Sequence, residues 1–158
     1  MTPPARRVPD RPTRYTTASR FELSTPTLPP MPRPEPIELT LPATGTRLAG
    51  LRSSDGATGG RPRVLALHGW LDNALSWTPA REFLEGLDLV CLDFPGHGES
   101  PPRPAAARYH FDDYVFDVLG ALDALQWDTA HLLGHSLGGA VASVTAAACP
   151  DRVRSLSV

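Results

Sequence analysis

Four short runs of mostly apolar residues, separated by longer segments, are the feature that most constrains the fold of this chain. The runs are Val64–His68, Leu87–Leu92, Ala130–Leu133 and Val153–Val158. Nearly continuous apolar runs of this length are typical of strands buried on both faces, as in parallel sheets. Strands that alternate with helix-length segments predict an α/β fold, a mostly parallel sheet with helices on both faces.

Two of the intervening segments have helical patterns. From Phe111 to Leu125, apolar residues recur at spacings of three and four, and Asp112 and Asp113 stand near the start, where the helix dipole favours acidic residues. The segment Gly139–Cys149 is rich in alanine and lies between the third and fourth runs. We predict a helix in each segment.

The chain before these elements has a different composition. Ten of the 18 prolines lie in residues 1–36, with few apolar residues among them. Such a segment buries too little apolar surface to offset the entropy of ordering. We therefore predict a disordered Pro/Arg-rich tail over residues 1–36 and a folded part over 37–158, which opens with a hairpin of Ile37–Leu41 and Arg47–Arg52. Met31 stands just before the hairpin, so a start at Met31 instead of Met1 stays open.

Charge and composition exclude several classes of function. All 15 basic residues are arginine, which excludes a lysine Schiff base and the lysine of a phosphate-binding P-loop. The formal net charge of −2 gives no reason to expect a nucleic-acid partner. Cys91 and Cys149 have no metal-ligand spacing, so we predict neither a metal nor a cofactor. With no apolar segment of membrane-spanning length and no secretory signal, we expect a cytoplasmic protein.

Three strand ends carry unusual residues, at the edge where parallel sheets bind ligands. The first is Gly134–Gly138, a G-x-S-x-G pattern between a strand and a helix. A serine on so sharp a turn holds its hydroxyl above the sheet, and glycines two residues before and after avoid collisions. The N-terminus of the helix that follows the serine would stabilise an oxyanion formed on an attacked carbonyl, through its backbone amides and its dipole. We predict that Ser136 is a nucleophile; the alternative is a structural serine that caps the helix.

The second strand end is the turn after Leu67. A tight turn at Gly69 would let the backbone amides of Trp70 and Leu137 donate to the same oxyanion. For the side chains we prefer structural roles. We expect His68 and Gly69 to shape the turn and the Trp70 ring to fill the core.

The third strand end, Asp93–Ser100, contains an acid, a histidine and a serine within eight residues. These groups lie on one tight turn, where adjacent side chains point in different directions. We therefore predict that Asp93 and His97 fix this loop by hydrogen bonds and do not form a catalytic triad.

These three motifs in this order resemble the α/β-hydrolase family, and His68–Ala74 is similar to its serine hydrolase-like subgroup. The resemblance covers about residues 37–158 and implies an α/β-hydrolase fold. It also implies that Ser136 is the nucleophile, that the amides of Trp70 and Leu137 form the oxyanion hole, and that the substrate is a small ester or related acyl compound. Related dehalogenases and epoxide hydrolases have an aspartate at this position, so the resemblance disfavours their activities.

The general base is the part of the mechanism that the sequence lacks. In this fold the acid and histidine of the triad follow the serine, whereas all five histidines here precede Ser136. The sequence also stops within the strand pattern of Val153–Val158. We therefore expect a domain truncated near strand six, with the base and acid beyond residue 158 and little activity in this chain alone. The alternative is a catalytically dead fragment or a non-catalytic binding protein.

Overall fold

A computed structural model of the chain describes residues 34–53 and 60–158, and six strands in these ranges form one sheet. The strands are β1 (Glu35–Thr40), β2 (Arg47–Ser53), β3 (Arg63–Leu67), β4 (Asp88–Leu92), β5 (Ala130–Gly134) and β6 (Val153–Ser157). Their order across the sheet is β1-β2-β4-β3-β5-β6. Strands β3 to β6 pair in parallel, while β1 and β2 are antiparallel. The predicted mostly parallel α/β sheet is confirmed.

Helical segments cover both faces of this sheet. The helices α1 (Phe111–Ala124) and α2 (Leu137–Ala148) pack on one face, around a core that includes Leu65, Leu132 and Val118. The opposite face packs against a 3-10 segment, Ala74–Leu84, which contains Pro79. Because proline cannot donate the backbone hydrogen bond of a helix interior, a regular α-helix is disfavoured there. None of the helices in the described ranges is both long and apolar enough to span a membrane.

The predicted boundaries differ slightly from the observed ones. Strand β1 begins at Glu35, two residues before the predicted Ile37, and α2 begins at Leu137, two residues before the predicted Gly139. The hairpin of β1 and β2 forms as predicted. The prediction of a disordered tail concerns residues that lie almost entirely outside the described ranges; residues 54–59 also lie outside them.

Candidate active site

Ser136 lies on the turn between β5 and α2 in a strained conformation. Its φ is +52° and its ψ is −114°, a region that a residue with a side chain seldom occupies and that persists only where the surroundings impose it. The residue is exposed, and its side chain does not cap α2. Its hydroxyl makes no hydrogen bond with any residue that the structure describes. The hydroxyl is therefore open to an incoming molecule.

The glycines on either side of Ser136 are required by close backbone contacts. A Cβ on Gly134 would lie 2.5 Å from the Cα of Gly139, and a Cβ on Gly138 would lie 2.5 Å from the carbonyl carbon of Leu67. Real Cβ atoms essentially never approach a heavy atom within 3.0 Å. The glycine spacing that the sequence shows therefore has the steric cause predicted for it.

Backbone hydrogen bonds join the end of β3 to this turn. The amide of His135 donates to the carbonyl of Leu67 at 3.0 Å, and the amide of Gly138 donates to the carbonyl of His68 at 3.0 Å. The Cβ of Ser136 would lie only 3.4 Å from a Cβ on Gly69. These contacts bring the loop after β3 against the serine.

Several amides near this junction have no acceptor among the described residues, and those of Trp70 and Leu137 are among them. In the part of the chain that the structure describes, the backbone N–H groups of Trp70 and Leu137 donate to no protein atom, although each lies within two residues of the bond between Gly138 and His68. Unpaired amides that are not buried can donate to a ligand. The amides of Trp70 and Leu137 are the two groups that the sequence predicts as oxyanion donors.

The side chain of His68 stabilises the loop after β3 by hydrogen bonds. Its side chain is buried, its Nε2 accepts from the amide of Phe94 at 3.0 Å, and its Nδ1 lies 2.7 Å from the carbonyl of Gly69. Because Nε2 accepts, the ring proton must be on Nδ1 and is donated to Gly69. Burial lowers the pKa of His68, which favours this neutral form. The predicted turn-shaping role of His68 is confirmed.

The expectation that Trp70 fills the core is wrong. Its side chain is 60% exposed, and its ring packs edge to face on His97 with 5.8 Å between ring centroids. The chain leaves the sheet at Gly69, so the next side chain lies beyond the strand ends. Phe94 fills a core position beside His68 instead, with its side chain fully buried.

Asp93 and His97 stabilise the loop after β4. The carboxylate of Asp93 accepts from the amide of Ala74 at 2.6 Å and from the amide of Glu99 at 3.0 Å. The Nδ1 of His97 lies 3.1 Å from the carbonyl of Pro95. The prediction that these groups fix the loop is confirmed, because the Asp93 carboxylate binds backbone amides of its surroundings.

The hydroxyl of Ser100 in the same loop is also engaged in hydrogen bonds. Its hydroxyl donates to the carbonyl of Asp93 at 2.7 Å and accepts from the amide of Ala49 at 2.8 Å. The residue is 5% exposed. It therefore links the loop to β2 and has no hydroxyl available for chemistry.

None of the five histidines, all within the described ranges, hydrogen-bonds to Ser136. His68 and His97 hold loops, and the Nδ1 of His131 lies 2.7 Å from the hydroxyl of Ser155. His110 precedes α1, and His135 is the exposed neighbour of Ser136. The described residues thus supply a serine and amide donors at one place, but no base bound to that serine.

A cavity of about 460 Å³ lies beside the serine turn, and no sequence motif predicted it. Its lining is mostly apolar and includes Trp77, Pro79 and Leu133, with Asp72 and His135 among its polar residues. A hydrogen bond from the hydroxyl of Ser76 lowers the pKa of Asp72. The lining combines the 3-10 segment with β5, which are far apart in sequence. The sequence shows the apolar residues of each segment, but it does not show that the two segments meet.

The comparisons with known proteins agree with this geometry. The model of the alpha/beta hydrolase fold family matches residues 62–157. A serine hydrolase-like protein of Dictyostelium discoideum is 41% identical over 96 residues, which are 60% of this chain and 27% of that protein. A serine hydrolase-like protein of Danio rerio is 43% identical over 102 residues, which are 64% of this chain and 31% of that protein. This chain therefore spans less than a third of the length of these two curated relatives.

Solved structures show the same fold. A hypothetical protein of Pseudomonas aeruginosa PAO1 has a TM-score of 0.69 at 43% identity, and the match covers 77% of this chain and 42% of that one. E-2-(acetamidomethylene)succinate hydrolase has a TM-score of 0.67 at 28% identity, with 77% of this chain and 43% of that one covered. The chain belongs to the α/β-hydrolase fold family, and its relatives identify it with the serine hydrolase-like subgroup.

Proposed function

We propose that this protein is a serine hydrolase of small esters or related acyl compounds, with Ser136 as its nucleophile. The observation that carries the proposal is the strained, exposed Ser136, whose φ is +52° and whose side chain does not cap α2. A purely structural serine would use its hydroxyl in a hydrogen bond, and the strain would bring no benefit. A nucleophile on a strand-to-helix turn needs this conformation.

The reaction would proceed by acyl transfer to the serine. The Oγ of Ser136 forms a bond to the acyl carbon, a base takes its proton, and the carbonyl oxygen becomes an oxyanion. The amides of Trp70 and Leu137 donate to that oxyanion, and the start of α2 adds its dipole. The alcohol then leaves with a proton, and water hydrolyses the acyl-serine to the acid. One oxyanion donor contributes about 3 kcal/mol to such a step.

The general base and its orienting acid are proposed to lie outside these 158 residues. In support, none of the five histidines hydrogen-bonds to Ser136. A serine hydroxyl is a weak nucleophile without an adjacent base. The 158-residue chain alone is therefore expected to be nearly inactive, whereas a protein that adds the base is expected to hydrolyse acyl substrates.

A second candidate is a non-catalytic binding protein with the α/β-hydrolase fold. The finding that none of the five histidines hydrogen-bonds to Ser136 favours this candidate, since a serine without a hydrogen-bonded base can serve in binding alone. In that case the cavity beside the serine turn would hold a ligand that is not converted.

A fluorophosphonate probe distinguishes the two candidates. The native protein that contains this sequence is treated with the probe, and the labelled peptide is identified by mass spectrometry. Labelling of Ser136 that is lost in Ser136→Ala and kept in Ser100→Ala supports the hydrolase. A native protein that stays unlabelled at Ser136 supports the binding protein. Labelling of the 158-residue chain as fast as the native protein would show that the base lies within the chain.

A further inference from the structure

A second cavity lies at the opposite edge of the sheet, where the parallel strands begin. Its volume is about 420 Å³, and its lining includes Arg61, Arg63, Thr129, His131 and Arg154. Because β3, β5 and β6 are parallel neighbours, their first residues meet at this edge. Arginines from two distant parts of the sequence, Arg61 and Arg63 in one and Arg154 in the other, are thus placed around one concave surface.

The lining of this cavity is basic in a chain that is acidic overall. The described residues that line it include three arginines and a histidine but no carboxylate. The whole chain has 17 acidic and 15 basic residues, a formal net charge of −2. Arg63 and Arg154 bring two like charges to this concave surface, and like charges repel one another in the folded protein. An anion in the cavity would remove that repulsion.

Two of these arginines also differ from four other arginines of the described residues. Arg47, Arg52, Arg103 and Arg152 each form an ion pair with an aspartate or glutamate. Arg63 and Arg154, by contrast, form no ion pair with any carboxylate in the described ranges. Their charges are therefore available to a ligand.

Both of these guanidinium groups are also held in place. The Nε of Arg154 donates to the hydroxyl of Thr129 at 2.7 Å, which leaves its terminal nitrogens to donate elsewhere. The guanidinium of Arg63 lies 6.0 Å from the centroid of the Trp127 ring. Groups ordered in advance lose less entropy when they bind.

From this geometry we propose that the cavity binds a phosphate-bearing ligand, either a soluble phosphorylated compound or the headgroup of an anionic lipid. The planar guanidinium matches phosphate through two parallel hydrogen bonds. A group with two negative charges suits several arginines better than a single carboxylate does. The cavity is concave and large enough for a phosphate with part of the molecule that carries it.

This site is independent of the proposed nucleophile. His131 stands near the start of β5, and Ser136 follows the end of the same strand. At about 3.3 Å per residue the two lie roughly 15 Å apart. Loss of either site therefore leaves the other chemically intact, and the two proposals fail separately.

The test titrates the 158-residue chain with inorganic pyrophosphate by isothermal calorimetry at constant ionic strength. Arg63→Gln and Arg154→Gln each remove one guanidinium from the cavity. Arg47→Gln is the matched control, because it removes the same charge from an exposed arginine at the hairpin. Equal urea unfolding midpoints show that the variants keep the fold. A second arm measures binding to phosphatidylcholine vesicles with and without phosphatidic acid, whose phosphomonoester headgroup carries up to two negative charges.

We expect saturable binding that weakens about tenfold or more in each cavity variant, since a charge-assisted hydrogen bond is lost, and stays within twofold in Arg47→Gln. Binding of pyrophosphate alone identifies a soluble ligand. Binding of the anionic vesicles, alone or in addition, identifies a lipid headgroup as a ligand when the cavity variants abolish it. The proposal is overturned if neither probe binds saturably, or if Arg47→Gln weakens binding as much as the cavity variants.

Discussion

Two serines lie in glycine-containing turns at the same edge of the sheet, and their surroundings are opposite. Ser100, in the loop after β4, is 5% exposed, and its hydroxyl both donates to Asp93 and accepts from Ala49. Ser136, in the turn after β5, is exposed, and its hydroxyl has no hydrogen-bond partner among the described residues. The first hydroxyl stabilises the fold, whereas the second makes no such contribution within the described residues.

The backbone shows the same contrast. In the loop after β4 the positive φ values fall on Gly96 and Gly98, where they cost little. In the turn after β5 the positive φ falls on Ser136 itself, between two glycines that have no room for a side chain. A positive φ alone does not mark a function, since Gln126 after α1 also has a φ of +56°; Ser136 combines it with an exposed hydroxyl that has no partner among the described residues. This difference supports the proposal that the two turns have different roles.

The largest expected effect comes from filling the space beside Ser136. Gly138→Ala places a Cβ 2.5 Å from the carbonyl carbon of Leu67, a contact that only backbone movement can relieve. We expect a loss of about 3 kcal/mol or more in the free energy of unfolding, measured by urea denaturation of the 158-residue chain.

Gly139→Ala is the matched control for this prediction. Its Cβ would lie 3.4 Å from the carbonyl oxygen of Gly134, an ordinary contact. Alanine also favours the helix, so we expect no loss and a gain of up to about 1 kcal/mol. Equal unfolding free energies for the two variants would contradict the close approach of β3 to the serine turn.

The next largest expected effect is a change of stability with pH, which depends on a buried ion pair between the loop after β4 and α1. Arg103 in this continuation pairs with Asp117 of α1 at 2.6 Å, and their side chains are 14% and 5% exposed. Burial raises the pKa of Asp117 from 3.8 to about 6, although Arg103 opposes the shift. The folded state therefore binds the Asp117 proton more tightly than the unfolded state does.

This difference gives the pH dependence a definite sign. As the pH falls from above 6 to below 4, protonation of Asp117 should raise the free energy of unfolding by up to about 2–3 kcal/mol. Asp117→Asn should lack this contribution, which is read as the difference between the urea unfolding curves of the two proteins at each pH. His68, whose pKa is lowered, contributes with the opposite sign below its ordinary value of 6.5. Because both proteins contain His68, its contribution cancels. Parallel pH profiles would refute the role of Asp117.

Much of the fold could be predicted because local patterns and burial agree. The strands β3, β4 and β5 were found from apolar runs, since these central strands are covered on both faces. The strand β6 was found in the same way, although it lies at the edge of the sheet and its residues are mostly exposed. The serine turn could be predicted because the need for glycine on either side of the serine is visible within five consecutive residues, Gly134–Gly138. Each of these features depends on residues close together in the chain.

The features that were missed depend on tertiary structure. Trp70 is a large aromatic residue next to a buried strand, and only the direction in which the chain turns at Gly69 shows that it is exposed. The basic cavity joins Arg63 to Arg154, which are 91 positions apart and meet only through the pairing of β3, β5 and β6. Local sequence patterns carry no information on either arrangement.

The smallest effect tests the comparison of the two serines directly. Ser100→Ala leaves the amide of Ala49 without its acceptor in a part-buried position, which should cost about 1–3 kcal/mol in the free energy of unfolding. Ser136→Ala removes the same atom from a hydroxyl without a partner, and the change should stay within about 0.5 kcal/mol. The two substitutions are chemically identical, so urea denaturation of both variants isolates the effect of the hydrogen bonds. A loss at Ser136 as large as that at Ser100 would mean that its hydroxyl supports the fold, and the main argument for a nucleophile would be lost.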